Sequence, residues 1–340
     1  MSVILVTGGM GFIGSNFTRF LLELNQNFRV VNVDKLTYAG NPENLKNLEK
    51  RFHKYYTFYK VDICDFEMIN KIIEKEDAKY VVNFAAESHV DRSITNPNIF
   101  CNTNILGTQS LLNAAKKNKI NKFVQISTDE VYGSLELETP AFTESTPLSP
   151  NSPYSASKAS ADLLINAYYK TFGLPVNITR CSNNYGPYQF PEKLIPLMIN
   201  NTINGKDLPI YGKGINVRDW IFVLDHCKAI LKVLLEGKIG EIYNIGGDSE
   251  IKNIDLVKMI LKILDKPESL ITFVKDRPGH DLRYAINHEK ITRELGWKPE
   301  FSFEKGLKVT VDWYLNNSEW LNNVINKEYL TFYENQYKNR

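Results

Sequence analysis

Two adjacent carboxylates, Asp129 and Glu130, follow a short apolar run at residues 123–126. The run is hydrophobic and partly β-branched, which predicts a buried strand. Polar residues at the carboxyl end of such a strand sit where open α/β sheets bind ligands. Two carboxylates there can serve as an acid and a base when their surroundings push their pKa values apart. Alone, an Asp-Glu pair is better read as a solvated loop or a helix cap, so the other residues must decide. A second pair is Tyr154 and Lys158, in Tyr154-Ser155-Ala156-Ser157-Lys158. Spaced i and i+4, they share one face of the helix predicted to begin near Pro153. At about 4 Å and an effective dielectric near 20, an ammonium contributes roughly 4 kcal/mol. That equals up to about three pKa units, enough to bring a tyrosine from about 10 toward neutrality, where it can act as a base.

These side chains need a scaffold, and the first residues begin one. Residues 3–6 read as an apolar strand. They run into Gly8-Gly9-Met10-Gly11-Phe12-Ile13-Gly14 and then an amphipathic helix carrying Phe17, Phe20, Leu21 and Leu24. Glycines in such a loop let backbone N–H groups approach a pyrophosphate, and the helix N-terminus adds about half a positive charge. A second strand, 28–33, ends at Asp34, twenty residues beyond Gly14. A carboxylate there can accept both ribose hydroxyls of an adenosine and would repel a 2′-phosphate. NAD is therefore favoured over NADP, although Lys35 next door weakens the discrimination. A third strand, 58–63, brings Asp62 toward an adenine. A fourth, 80–84, ends in Ala85-Ala86, small enough for a cofactor to lie close above. A nicotinamide cation near Tyr154 would add to the effect of Lys158.

The polar loop Glu87-Ser88-His89-Val90-Asp91-Arg92-Ser93 holds a histidine, and beside Asp91 and Arg92 it reads as structural more readily than catalytic. A helix over 96–118 places Ile99, Thr103, Leu106, Ser110 and Leu111 on one long face. Residues 135–153, rich in Glu, Thr, Ser and Pro, read as a surface loop able to lie over a site. Residues 175–180 give a sixth strand. The fold class is α/β: a Rossmann-type doubly wound parallel sheet with a smaller C-terminal α/β substrate domain. The division falls at 1–180 and 181–340, with segments near 215–250 able to return to the first. In the second part, 183–187 and 191–196 are loops with many donors and acceptors. Arg218 and Arg277 stand in two further loops, and together they suit a bidentate clamp on a diphosphate. Helices near 254–264 and 304–324 follow, then a tail rich in Tyr, Asn and Lys.

Composition narrows the partners. The 340 residues carry a net charge of +2 with no basic cluster beyond short pairs such as Lys116-Lys117, which argues against nucleic acid or a membrane surface. Cys64, Cys101, Cys181 and Cys227 form no metal spacing and suit a reducing compartment, hence the cytoplasm. Residues 1–7 are too short an apolar run for a signal peptide or a membrane span. There is no internal repeat and no low-complexity linker.

From the first strand to about residue 325 the chain resembles the extended short-chain dehydrogenase/reductases, and within them the nucleotide-sugar 4,6-dehydratases. The residues that carry the resemblance are Asp34-Lys35-Leu36-Thr37-Tyr38-Ala39-Gly40-Asn41, 86–93, Ser127-Thr128-Asp129-Glu130-Val131-Tyr132-Gly133, Tyr154 with Lys158, 183–187, 191–196, Arg218-Asp219-Trp220 and 276–281. Met10 stands where the family has alanine, a change that should alter packing only. The resemblance implies dTDP-glucose as substrate, with thymine over uracil or cytosine resting on likeness alone, and a product that feeds deoxysugar biosynthesis of the rhamnose type. It implies that Tyr154 deprotonates the 4-hydroxyl, Lys158 lowers its pKa, Thr128 bonds the sugar near O4, Glu130 removes the C5 proton and Asp129 protonates the departing 6-hydroxyl. It implies a tightly bound NAD, regenerated each turnover, held by Gly8, Gly11, Phe12, Ile13, Gly14, Asp34, Lys35, Leu36, Thr37, Asp62, Ile63, Phe84, Ala85, Ala86, Ser88, Thr103, Tyr154, Lys158 and Asn184. It implies a nucleotide sugar held by Ser88, Thr128, Asn183, Glu192, Lys193, Leu194, Pro209, Ile210, Tyr211, Arg218, Asn253, Asp276, Arg277 and His280, and no metal. A homodimer through a four-helix interface fits both the family and the helices after Pro97 and Pro153, which carry apolar or small residues on more than one face.

Two rivals stay open at this point. A nucleotide-sugar 4-epimerase needs Tyr154 and Lys158 but no acid–base pair for elimination. An idle NAD-binding regulator would need none of the set, and its intactness argues for an enzyme.

Overall fold

The computed structural model describes residues 1–24 and 28–325, so the Tyr-, Asn- and Lys-rich tail lies outside the described residues. Its strands are β1 (Ser2–Thr7), β2 (Phe28–Asp34), β3 (Tyr56–Lys60), β4 (Tyr80–Asn83), β5 (Lys122–Thr128), β6 (Val176–Cys181), β7 (Asn183–Tyr185), β8 (Leu208–Tyr211), β9 (Val217–Phe222), β10 (Ile242–Ile245), β11 (Glu250–Lys252) and β12 (Ile271–Val274). Seven of them form one parallel sheet in the order β10-β6-β5-β4-β1-β2-β3. The chain winds outward from β1 to β3, then returns through β4 on the other side of β1. Ligands bind at such a reversal, outside the carboxyl ends of the strands.

The runs that build this sheet are apolar on both faces, as buried parallel strands must be. Ile4, Leu5, Val6, Val30, Val31, Val33, Val81 and Val82 are fully buried. Two apolar layers cover them. One joins Phe17 and Leu21 of the helix Phe12–Glu23 to Ile230, Val233 and Leu234 of the helix Val223–Glu236. The other joins Ile69, Ile73, Leu111, Leu112 and Ile165. Burying one such side chain contributes about 1.5–3 kcal/mol, which makes the sheet the rigid part of the molecule.

The smaller unit has its own core of Tyr185, Met198, Trp220, Phe222, Leu256, Val257, Leu307 and Tyr314. It holds a three-stranded sheet, β11-β9-β7, and a pair, β12-β8. The helices Leu194–Ile203, Asn253–Ile263, Phe303–Asn316 and Ser318–Val324 cover them. The strand β10 leaves this half of the chain and completes the large sheet beside β6.

Four sequence expectations change. The helix expected over 96–118 is three pieces: Pro97–Phe100, a π-helical stretch Cys101–Gly107, and Thr108–Lys117. The wider turn rephases the side chains. Ile99 and Leu106 therefore face outward, 40 % and 53 % exposed, while Leu111 is buried. The helix expected over 304–324 breaks at Asn317. Arg218 lies in β9, not in a loop: residues 217–222 set the adjacent charges Arg218 and Asp219 within an otherwise apolar strand, and both are buried. The stretch 135–153 does not lie free on the surface. Leu135 bridges to Arg283 and Phe142 to Ile286, and Asn244 N–H donates to Glu144 Oε1 at 2.9 Å.

Candidate active site

One cleft runs along the carboxyl ends of β1, β2, β4, β5 and β6. At its β1 end Gly8 has φ +69°, a left-handed conformation, and a Cβ there would come within 2.5 Å of the Ala85 nitrogen. Glycine is therefore required by conformation and by space. Gly14 lets the first turn of Phe12–Glu23 pass over the Gly8 carbonyl, where a Cβ would come within 2.3 Å. The peptide between is held on both sides: Met10 N–H donates to Asp34 Oδ2 at 2.9 Å, and Asn44 Nδ2 donates to the Met10 carbonyl at 2.9 Å. Asp34 Oδ1 accepts from Leu36 N–H at 2.8 Å. Burial pushes this carboxyl up and the two N–H donors pull it back. The loop and the helix N-terminus behind it form an anion cradle that fits a dinucleotide pyrophosphate.

The end of the cleft expected to take the adenosine carries an ion pair. Lys35 Nζ lies 2.6 Å from Asp62 Oδ2. β3 ends at Lys60, earlier than expected, and Asp62 sits in the following turn with Oδ1 on Cys64 N–H. The Lys35 charge is thus committed to Asp62 rather than to a 2′-phosphate. Gly11, Phe12, Ile13, Thr37, Ile63, Phe84, Ala85, Ala86, Ser88, Thr103 and Asn184 all line the same cleft. Leu36 does not: with φ +58° it turns into a neighbouring recess beside Phe190.

At the β5 end, Thr128 caps the turn Asp129–Tyr132 by accepting from Glu130 N–H at 3.3 Å, and its hydroxyl donates to Asp129 Oδ1 at 3.3 Å. Asp129 is 2 % exposed, and its Oδ2 has no partner among the described residues. Burial pushes its carboxyl well above the usual range, and the Glu130 and Asp219 charges push it further. Glu130 is also raised by burial, but Arg277, Lys193 and Arg218 pull it down. Both carboxyls have neighbours of either sign, but the strongest are carboxylates at Asp129 and cations at Glu130.

Tyr154 and Lys158 come from the helix Pro153–Phe172. Its start is fixed by a capping box between Ser152 and Ser155 with Pro153 in the first turn, and its end by Gly173 at φ +66°. The cap contributes about 1 kcal/mol. Tyr154 bonds the Thr128 side chain. The electrostatics differ from the expectation. Lys158 Nζ donates to the Ile126 carbonyl at 2.6 Å. Burial, Glu130, Cys181 and Asp129 hold the Tyr154 phenol well above its ordinary value. Shared helix face did not bring the lysine onto the phenol, because a strand-end carbonyl took it first.

The smaller unit supplies a second cluster. Arg218 donates through Nη1 to the carbonyls of Val217 at 2.7 Å and Leu282 at 3.5 Å, and through Nη2 to Asp281 O at 3.0 Å, with its guanidinium 4.3 Å over the Tyr284 ring. Those bonds leave the Nε–H and one Nη2–H edge, a fork that fits phosphate oxygens. Arg277 Nη1 lies 3.9 Å from Asp91 Oδ1, and its Nε is buried with no partner among the described residues. His280 Nδ1 lies 2.6 Å from Asp276 Oδ1 and its ring packs edge-on against Tyr211. Burial and the two arginines push this imidazole down to about 4. Asn253 Oδ1 and Asn183 Oδ1 are buried without partners among the described residues. Glu192 pairs with Arg92 at 3.4 Å, and Lys193 Nζ donates to the Ser88 carbonyl at 3.0 Å. Both residues line the cleft. Two expected contacts face elsewhere: Ile210 is 2 % exposed in the core of the smaller unit, and Leu194 packs against that core. Only their backbones are free to reach a ligand. Pro209 is buried in β8 beside them. His89 is buried and hydrogen-bonded to the Glu192 backbone, and burial holds it well below its ordinary value.

Sequence reading missed several residues. Asn104, on the π-helical stretch, accepts from Glu87 N–H at 2.9 Å and donates to Glu87 O at 3.0 Å and Ser157 Oγ at 2.8 Å, so it pins the cleft wall. No regular helical period predicts its inward turn. Cys181 lines the cleft beside Tyr154. Its position at the end of β6, next to β5, was a usable signal. Tyr38 lies under the Arg92 guanidinium, 3.7 Å away.

This fold and cleft define an extended short-chain dehydrogenase/reductase. Residues 5–310 match the GDP-mannose 4,6 dehydratase family. The chain is 52% identical to the dTDP-glucose 4,6-dehydratase of Salmonella typhimurium, over 99% of both chains. It is similar to the dTDP-glucose 4,6-dehydratase of Bacillus anthracis solved in complex with NAD, with TM-score 0.89 and 52% identity over 95% of this chain and 100% of that one. It is also similar to the Streptomyces venezuelae dTDP-glucose 4,6-dehydratase, with TM-score 0.91 and 47% identity over 95% of this chain and 99% of that one. The chain belongs to the dTDP-glucose 4,6-dehydratase family.

Proposed function

We propose that this NAD-dependent hydro-lyase converts dTDP-glucose to dTDP-4-keto-6-deoxyglucose and water, with the residues in the following roles. Bound NAD supplies the acceptor and later the donor of a hydride, and its ring cation adds the positive charge that Tyr154 needs. Tyr154, held by Thr128, takes the proton of the sugar 4-hydroxyl. Lys158 keeps two N–H donors beyond its bond to Ile126 O, and these suit ribose hydroxyls. The C4 carbonyl acidifies the C5 proton, which Glu130 removes and gives back to C5 when the hydride returns to C6. Asp129 gives its proton to the departing 6-hydroxyl, so one water leaves. Arg218 and Arg277 hold the diphosphate.

The observation that carries this reading is the opposed surroundings of the carboxylate pair. Burial raises both carboxyls, but the strongest charged neighbours of Asp129 are carboxylates that add to the rise, while those of Glu130 are cations that oppose it, beside a tyrosine on the same substrate. An epimerase has no use for that division. Incubation with dTDP-glucose tests it. Glu130→Gln and Asp129→Asn should each still reduce bound NAD yet lose about 100-fold or more in 4-keto-6-deoxy product, as loss of one general acid or base does. Elimination at the wild-type rate in Glu130→Gln refutes the assignment.

Residues 1–180 with the later segment near 215–250 would bind the cofactor, and the rest of 181–340 the nucleotide sugar. The outward Ile99, Leu106, Leu163 and Phe172 of the two long helices support a homodimer, checked by light scattering at micromolar concentration. Among the described residues no helix is long and apolar enough to cross a membrane. The four free thiols support a reducing, cytoplasmic setting.

A further inference from the structure

The helix Pro153–Phe172 carries a third polar residue on the face of Tyr154 and Lys158. Asp162 follows Lys158 by one turn, as Lys158 follows Tyr154. The three are 8 %, 4 % and 2 % exposed, taken from Tyr154 to Asp162. A buried aspartate that far from the sugar-binding cluster needs a reason, since burying a charge is costly unless it is paired. Its Oδ2 accepts from Ser127 Oγ at 3.1 Å and from Arg180 Nε at 2.9 Å. Ser127 and Arg180 are direct neighbours across β5 and β6, so the sheet itself fixes both donors. Arg180 is steadied in turn: its guanidinium lies 4.8 Å over the Tyr132 ring, whose hydroxyl donates to Asn244 Oδ1 at 2.8 Å. Oδ1 of Asp162 is buried with no hydrogen-bond partner among the described residues. A carboxylate this firmly placed, with one oxygen unclaimed, sits one turn from a buried ammonium.

We propose that Asp162 is a positioning residue for the redox half of the reaction: from one helical turn away it keeps Lys158 protonated, while the Ile126 carbonyl fixes where the ammonium sits. The proposal rests on the reading of Lys158 as a cofactor-binding ammonium. Burial alone favours the neutral amine, and the Asp162 charge opposes it. The other groups facing Lys158 and Asp162 are Tyr154 on the same helix, Cys181 and Arg180 on β6, and Asp129 and Glu130 after β5. Burial pushes the Cys181 thiol up to about 12 and, without the nicotinamide cation, the Tyr154 phenol well up, so neither loses its proton in the NADH titration. Arg180 stays charged throughout. Asp129 and Glu130 face Tyr154 rather than the inner end of the stripe.

The test is Asp162→Asn, which keeps the shape and removes the charge. Binding of NADH, followed by its fluorescence, is titrated from pH 6 to 10 in both proteins. Wild type should weaken at alkaline pH as Lys158 loses its proton. In Asp162→Asn that limb should move down by about one pH unit or more, the usual effect of one close opposite charge. The alkaline limb of dTDP-glucose turnover should move with it, while KM stays within about two-fold because the sugar contacts are untouched. A variant whose binding and rate profiles are those of wild type, or wild type scaled uniformly at every pH, overturns the proposal. Should Asp162→Asn fail to fold, the double variant Asp162→Asn/Arg180→Met removes both charges of the buried pair, a change often neutral for stability. Loss of the Arg180 cation raises the Lys158 limb while loss of Asp162 lowers it, so the double variant is read against Arg180→Met: it should lie lower, and coincident limbs overturn the proposal. The binding titration does not depend on turnover. If wild type does not convert dTDP-glucose, the functional reading fails while the Asp162 assignment is still decided.

Discussion

The two ends of the cleft are built on opposite plans. At the glycine loop the side chains that shape the turn are paired inside the chain, although Asn32 Oδ1 beside Gly9 has no partner among the described residues. Asp34 holds Met10 and Leu36, Asn44 holds Met10, and Lys35 holds Asp62. What this end offers a ligand is backbone shape and a helix N-terminus. At the other end polar atoms stand unclaimed: Asp129 Oδ2, Arg277 Nε, Asn183 Oδ1 and Asn253 Oδ1. The first end is a finished mould for a group that stays. The second is a set of half-made bonds for a molecule that arrives, reacts and leaves. Leaving such groups unpaired and buried costs about 1–3 kcal/mol each, which a substrate bound as proposed above would restore.

The sharpest way to break the contrast is Arg277→Ala. Removing one charged partner from a desolvated contact costs about 2–5 kcal/mol, so dTDP binding by calorimetry should weaken roughly 30-fold or more. NAD content should not change. Because the guanidinium of Arg277 makes, among the described residues, no closer ion pair than the 3.9 Å approach to Asp91, the melting temperature should stay near wild type. Arg218→Ala should also weaken dTDP but lower the melting temperature, since its guanidinium serves three backbone carbonyls. Arg277→Lys should recover part of the loss, an ammonium lacking the planar fork. Equal loss of NAD and dTDP in Arg277→Ala would mean that the ends are not independent.

The converse change is Gly8→Ala. A Cβ there meets the Ala85 backbone at 2.5 Å and the φ of +69° is strained for alanine. The strain is worth about 1–3 kcal/mol, so retained NAD after gel filtration should fall by roughly 10-fold or more while dTDP affinity stays within about two-fold. Wild-type NAD retention would show that the loop has slack.

The same contrast decides what a sequence displays. The glycine loop was legible because conformations that only glycine tolerates leave glycines at fixed offsets, and Asp34 follows at the end of the next strand. The Asp129-Glu130 pair was legible from its strand, and Tyr154 with Lys158 from helical spacing. What spacing could not show was the third neighbour. The Ile126 carbonyl takes Lys158, and burial with the neighbouring carboxylates, rather than the ammonium, sets the Tyr154 phenol. Asn104 was hidden because a π-helical stretch has no 3.6-residue period. Arg218 read as a loop residue because two buried charges in β9 broke its apolar pattern, and their partners lie more than twenty residues away, at 247–249 and 281–284.

The smallest effect is also the one that tests the second plan most directly. If the sugar end trades stability for reactivity, then removing its most unsatisfied group should stabilise the protein. Asp129 is that group: buried, with Oδ2 unpartnered and two carboxylates beside it. Its carboxyl is raised in the folded state, so the folded protein holds the proton where the unfolded chain has released it. The sign follows. Below the ordinary value of 3.8 both states are protonated and the position costs nothing. As pH rises from there toward the folded value, the unfolded state gains by ionising and stability falls. A neutral amide in place of this carboxyl does not titrate. Asp129→Asn should therefore melt higher than wild type at pH 7–8, by about 1–2 kcal/mol or a few degrees, with the gap closing toward pH 4. Scanning calorimetry of both proteins at one scan rate across that range measures it. A variant that melts lower at neutral pH would mean that Asp129, through Thr128, holds the turn together, and that the unclaimed bonds of this end are structural after all.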